Sequence, residues 1–253
     1  MLFYFGYGIS EYTVILVLTA QALLTSPDIG IIGGHDIAIE KVPYIASLRL
    51  NGTVHWCGSS IIHEQFVLTA AHCIVPNYSV LVGTDKIDEG GKLYEVESIS
   101  VHEKYTPQTK DYDICILKLN ETLTFGPKVK IIELADKSTR VKKGMLLNTA
   151  GWGLTKPVGN ISETLQAVAV MPVLPQRKCQ MSYLTQIKLT PRMLCAGGDG
   201  KDSCTGDSGG PLTLKDKQVG ITSFGAGCGK KPGVYAKVAA LLPWIKETIQ
   251  RNL

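Results

Sequence analysis

The chain has 253 residues, enough for one large domain or two small ones around a sizeable core. Hydrophobic residues at 45% and charged residues at 19% exclude intrinsic disorder, a collagen repeat and a coiled coil as descriptions of the whole chain. A formal charge of +4 is too small to argue for a nucleic-acid partner, and it is unevenly placed. Residues 1–30 hold Glu11 and Asp28 but no Lys, Arg or His, so the remainder carries +6.

The first element is the apolar run VILVLTAQALL, Val14 to Leu24. It is too short for a bilayer span, which needs about 20 residues, and it reads as the apolar part of a secretory signal. Ala20-Gln21-Ala22 fits the small-x-small cleavage rule and places a signal peptide over 1–22, although Glu11 stands where a basic flank is usual. Four glycosylation sequons agree with export, at Asn51, Asn77, Asn120 and Asn160. Seven cysteines beyond the leader suit an oxidising compartment. The expected location is therefore secreted and extracellular, with no stable membrane association.

From Ile31 onward there is no repeat, linker or low-complexity tract. Short apolar runs rich in β-branched and aromatic residues recur between turn signals. They are residues 44–50, 66–70, 78–82, 93–101, 114–119, 146–150, 165–170, 219–224 and 233–238. Their spacing predicts an all-β barrel or sandwich. The tail differs, because Leu241, Trp244, Ile245, Thr248 and Ile249 follow helical spacing, with Pro243 expected in the first turn.

Three segments carry chemistry. Thr69-Ala-Ala-His-Cys73 places a histidine at the end of an apolar strand. Asp111-Tyr-Asp113 leads into the strand Ile114–Leu119. Gly206-Asp-Ser-Gly-Gly-Pro211 sets a serine in a glycine-rich bend. A serine hydroxyl is a poor nucleophile until a base takes its proton, and an imidazole serves only when another group fixes its tautomer. Glycines beside the serine let backbone N–H groups face an oxyanion without an intervening Cβ. A lone histidine or aspartate is ordinarily a satisfied strand end or a solvated turn. The three together, in the order His, Asp, Ser, point to nucleophilic catalysis.

IIGG at 31–34, TAAHC at 69–73, DICILKL at 113–119, GWG at 151–153 and GDSGGP at 206–211 resemble the chymotrypsin/trypsin serine endopeptidases. The resemblance covers 31–253 and implies two six-stranded antiparallel barrels, a C-terminal helix and a short propeptide over 23–30. It implies His72 as general base, Asp113 as its orienting carboxylate and Ser208 as nucleophile. Asp111 is a rival carboxylate, but the family motif places the triad Asp directly before the strand Ile. The backbone N–H groups of Gly206 and Ser208 form the implied oxyanion hole. Asp202 matches the carboxylate at the base of a pocket for Lys or Arg, with Ser203 beside it, Gly225 and Gly233 as walls and Ser223 at the mouth. Lys110 matches a residue of the neighbouring subsite.

The implied disulfides are Cys57–Cys73, Cys179–Cys195 and Cys204–Cys228. Cys115 is left as a buried thiol, and Leu147 and Leu214 stand where many relatives have another bridge. Thr84 replaces a calcium-ligating carboxylate, so no metal or other cofactor is expected. Protein or peptide substrates and protein inhibitors are the expected partners, for a monomeric enzyme; a non-catalytic binding homologue is the alternative. Activation implies that an Ile31 ammonium pairs with Asp207, while Ser47 and His55 match residues that hold this Asp in some zymogens. Gly30 precedes Ile31, and no Lys or Arg lies before it.

Overall fold

The computed structural model describes residues 34–154, 159–184, 187–198, 200 and 202–253. The expected signal peptide at 1–22, the expected propeptide at 23–30 and Ile31 lie outside the described residues. After the two-residue β1 (His35–Asp36), the first half contains β2 (Ile45–Leu50), β3 (Val54–Ile61), β4 (Phe66–Thr69), β5 (Tyr78–Val82), β6 (Lys92–Val101) and β7 (Cys115–Leu119). The second half contains β8 (Glu133–Leu134), β9 (Leu146–Gly151), β10 (Gln166–Pro172), α1 (Gln176–Ser182), β11 (Met193–Ala196), β12 (Pro211–Leu214), β13 (Lys217–Phe224), β14 (Gly233–Lys237) and α2 (Val238–Asn252).

The first six-stranded barrel closes in the order β2-β3-β4-β7-β6-β5. In the second half the path β10-β9-β12-β13-β14-β11 is antiparallel, and an isolated bridge between Val173 and Ala196 joins its ends. Two short strands are added to it: β1 pairs with β10, and β8 runs parallel to β13. Both expected barrels are therefore present, the second enlarged to an eight-stranded sheet.

Each predicted apolar run forms a strand, and several strands lie outside those runs. β3 reads VHWCGSSI, and its Ser59 and Ser60 are fully buried because their hydroxyls reach the Ala46 carbonyl and the Gln218 side chain. A hydropathy scan passes over such a strand, since burial of a polar group is tolerated only once a tertiary partner exists. α2 begins at Val238, so Pro243 lies inside the helix and not in its first turn. The alanines and leucines of Val238–Leu242 favour helix and start it early.

One core runs through both halves, with Phe66, Ile116, Leu147, Leu212 and Ile245 in a single buried cluster. Leu147 is fully buried, and Leu214 packs against the same cluster, so apolar contact fills the place of the extra bridge. The disulfides Cys57–Cys73, Cys179–Cys195 and Cys204–Cys228 are formed. Loop closure makes each worth about 2–4 kcal/mol. Asn51, Asn77, Asn120 and Asn160 are all exposed.

Cys115 is a fully buried free thiol, and burial pushes its ionisation far above the ordinary range. Thiol titration should find none in the native protein and one per chain after denaturation without reductant. Three or more would contradict the three bridges, and a dimer that separates only on reduction would place Cys115 between chains.

Candidate active site

His72 lies on a single 3-10 turn, Ala71–Cys73, directly after β4. The Cys57–Cys73 bridge ties this turn to β3, and the Cys73 carbonyl accepts from Trp56 Nε1 at 2.9 Å and from the Tyr78 hydroxyl. The His72 backbone N–H donates to Asp113 Oδ1 at 2.9 Å, and its ring Nδ1–H donates to Asp113 Oδ2 at 2.7 Å. Ser223 adds a third donor, its hydroxyl bonded to the same Oδ2. Asp113 is fully buried, and an ionised carboxylate is tolerated there only when donors surround it. With Nδ1 holding a proton, the neutral ring has its acceptor lone pair on Nε2.

The two candidate carboxylates are thereby separated. Asp111 accepts from Thr190 Oγ1 and Arg192 Nε, both at 2.9 Å, and has no bond to His72. Ser223 lines the same cavity as Asp202. Its second task, holding Asp113, needs contact between β13 and the loop before β7, which no local sequence signal reports.

Ser208 is brought to the first barrel by its glycines. Gly209 adopts φ 78°, and a Cβ there would stand 2.2 Å from Thr69 Oγ1 and 2.5 Å from the Gly58 carbonyl. Gly58 N–H donates to the Ser208 carbonyl at 2.7 Å. The bend thus packs against the end of β4, three residues before His72. The N–H groups of Gly206 and Ser208 donate to no described residue.

Beneath the bend lies Asp207, completely buried and without an ion-pair partner among the described residues. Its Oδ1 accepts from Gly153 N–H at 2.9 Å and its Oδ2 from Cys204 N–H at 2.8 Å. Burial nevertheless lifts its pKa to about 6. The GWG motif acquires a physical reason here, since a Cβ on Gly151 or Gly153 would meet this carboxylate at 2.1 or 2.4 Å. His55 does not bond to Asp207. Its Nδ1 accepts from Ser47 Oγ at 2.8 Å and its Nε2–H donates to the Gly206 carbonyl at 2.9 Å, while burial lowers its pKa to about 4.

Asp202 and Ser208 line one cavity of about 270 Å³, together with Ser203, Ser223, Phe224 and Gly225. Asp202 is 1% exposed; Oδ2 accepts from Gly229 N–H at 3.2 Å, and Oδ1 has no hydrogen-bond partner among the described residues. Burial raises its pKa to about 7, offset in part by the Gly229 and Ser203 amides. A Cβ on Gly233 would press within 2.7 Å of Oδ1, and one on Gly225 would stand 3.8 Å from Oδ2. Glycine at both positions leaves the carboxylate reachable. The Ser203 hydroxyl lies 3.0 Å from that of Tyr235, and Phe224 meets Tyr183 edge-on at 5.7 Å.

Where a hard cation would need six or more oxygens, the 84–91 loop gathers around a side chain. The buried guanidinium of Arg49 donates to the Ile87 and Thr53 carbonyls and to Asp88 Oδ1 at 2.9 Å. Thr84 Oγ1 donates to the Glu89 carbonyl at 2.7 Å. The cluster Cys57, His72 and Cys73 has metal-like spacing, but its sulfurs are consumed in a disulfide and offer no thiolate.

Two β-barrels that bring a His–buried Asp pair and a serine bend together define a hydrolase of the double-barrel type. The family model described as Trypsin matches residues 31–245. The chain is 41% identical over 224 residues to Trypsin 5G1 of Aedes aegypti, covering 86% of this chain and 84% of that one. It is 39% identical over 230 residues to the Vitellin-degrading protease of Bombyx mori, covering 88% and 86%. Identity with Anionic trypsin of Bos taurus is also 39%, over 241 residues, 92% of this chain and 95% of that one. The protein belongs to the trypsin family and is a serine endopeptidase.

The raised pKa of Asp202 makes a stability prediction. Between about pH 4 and pH 7 the unfolded chain releases this proton first, so the group's contribution to stability declines as pH rises through that window. Asp202→Asn removes the loss. Its stability relative to wild type should rise from pH 4 to pH 8 by up to roughly 4 kcal/mol, at about 1.4 kcal/mol per pKa unit. Denaturant titrations at both pH values measure this, and a pH-independent difference would contradict it.

Proposed function

We propose that this serine endopeptidase is secreted, acts as a monomer and cuts after Arg or Lys, with protein substrates and protein inhibitors as its partners. The observation that carries the reading is Asp202, a buried carboxylate with one unbonded oxygen, in the cavity that Ser208 also lines. A cationic side chain entering that cavity supplies the missing counter-charge. An apolar one leaves the carboxylate buried and unpaired, which costs several kcal/mol.

The chemistry is that of a Ser–His–Asp triad. As Ser208 Oγ bonds to the scissile carbonyl carbon, its proton passes to His72 Nε2, and Asp113 stabilises the imidazolium through Nδ1–H. The oxyanion receives the N–H groups of Gly206 and Ser208, a preorganised pair worth about 3–4 kcal/mol per donor. Collapse breaks the C–N bond, and the leaving amine takes the proton from His72. Water then attacks the acyl-enzyme by the same route, releasing the acid and restoring Ser208.

Activation would place the ammonium of Ile31 against Asp207. That buried carboxylate has no cation among the described residues, and losing one partner of a buried ion pair costs about 3–5 kcal/mol. Because Gly30 precedes Ile31, the releasing protease would not be one that cuts after Lys or Arg. Incubation of the precursor with trypsin should leave Ile31 unexposed by N-terminal sequencing. Trypsin-driven release of Ile31 with a gain in turnover would overturn this.

Arg and Lys amides should be cleaved at similar rates and Phe amides slower by several decades, with Asp202→Ser reversing the order. Equal cleavage of Arg and Phe esters would refute the pocket assignment. A fluorophosphonate should label Ser208 in the mature protein, and failure to label would favour the non-catalytic alternative. Benzamidine, a small arginine mimic, should bind more tightly as pH rises towards 7, because only ionised Asp202 pairs with it.

A further inference from the structure

Asp111, the carboxylate that His72 does not use, sits in a contact chain linking separate parts of the fold. Arg192 immediately precedes β11, and its carbonyl accepts from Lys237 N–H at 2.7 Å, so the second barrel holds it. Its guanidinium engages both oxygens of Asp111 and lies 4.3 Å from the centre of the Tyr112 ring. Tyr112 in turn packs on His102 at 4.4 Å, and His102 stacks on Trp244 of α2 at 4.9 Å with only 23° between the rings. Trp244 Nε1 is anchored to Glu103 Oε2 at 3.0 Å. The order Arg192, Tyr112, His102, Trp244 therefore joins the second barrel, the loop before β7, the end of β6 and the C-terminal helix.

The segment this chain grips is strained. Lys110 and Tyr112 have φ of 55° and 56°, a left-handed conformation that side chains other than Gly, Asn and Asp seldom adopt, and Asp113 is the next residue. The turn tightens further at Ile114, whose N–H bonds to the Tyr112 carbonyl at 2.8 Å. A backbone in this state persists only where its surroundings over-determine it. The Asp113 carboxylate needs such control, because it must meet two donors of His72 and the Ser223 hydroxyl at once.

We propose that Asp111 and Arg192 are positioning residues: their ion pair, with Tyr112 clasped between Arg192 and His102, holds the left-handed turn that aims Asp113 at His72. This rests on the proposed roles of His72 and Asp113. The pair touches no reacting atom, and its effect is on the alignment of proton transfer, where a displacement near 1 Å costs up to about a hundredfold in rate. Neither Asp111 nor Arg192 lines the Asp202 cavity, so the pair has no direct contact with a side chain bound there.

The test compares Arg192→Leu, Asp111→Asn and their combination with wild type. Each single variant should lose roughly tenfold or more in kcat with KM within twofold, and the double variant should lose no more than the worse single, as expected of groups acting as one unit. Arg192→Lys, which keeps the charge but not the fork, should recover part of the loss. Tyr112→Asn tolerates the left-handed backbone and removes the ring, and it should fall between these and wild type. Unchanged kcat with a lowered melting temperature would make the pair merely structural and overturn the proposal, as would a rise in KM alone. A second readout does not need turnover: in Ser208→Ala protein, the downfield proton resonance of His72 Nδ1–H should broaden or vanish when Arg192→Leu is added. Retention of a sharp signal would overturn the clamp. Should wild type prove inert toward every substrate, the catalytic reading fails, and this signal still decides whether the clamp aligns Asp113. If Arg192→Leu does not fold, Arg192→Lys and Tyr112→Asn carry both readouts.

Discussion

The arrangement depends on one buried carboxylate. Asp113 has no solvent contact, and the donors that make its burial tolerable come from two halves of the molecule: His72 from the turn after β4, Ser223 from β13. An ionised group in such a place is costly unless its acceptor sites are filled. The need to fill them fixes the His72 ring, its tautomer and the approach of the second barrel to the first. The same cost makes each donor matter: removing any one leaves a charge that the surrounding apolar strands cannot solvate.

Two other buried acids obey the same physics with different outcomes. Asp207 has both oxygens bonded to backbone amides, and the absence of side chains at Gly151 and Gly153 makes space for it. Asp202 is the less satisfied, with one oxygen unbonded at a cavity. Three aspartates within one chain are therefore held, stored and presented according to how many donors meet each. Asp111, partly exposed, shows the fourth case: burial alone would raise its pKa, but Arg192, Thr190 and the Tyr112 amide hold it below the usual range.

Much of the site was legible before any fold was known. His72, Ser208 and Asp202 lie within short motifs whose glycines and flanking residues are local in the chain, and the apolar runs located β2, β4, β5, β6, β7, β9, β10, β13 and β14. The polar strand β3 was not legible because its buried hydroxyls find their partners only in the folded chain, and β1, β8, β11, β12 and α1 are too short to show a period. Arg49 likewise reads as an ordinary strand cation until Ile87 and Asp88 fold back onto it.

The chain alone determined the residue types and their order: an export-like leader, cysteines in suitable number, a histidine, two candidate aspartates and a serine among glycines. These follow from local requirements of backbone freedom, apolar periodicity and nucleophile chemistry. The tertiary structure decided which aspartate meets the histidine, which cysteine remains unpaired, and that Ser223 and Arg192 serve the same loop from the second barrel. Those choices belong to pairs separated by 16 to 110 residues, and for the charged groups the free energy that selects them, the burial of charge against its donors, exists only once the barrels have come together.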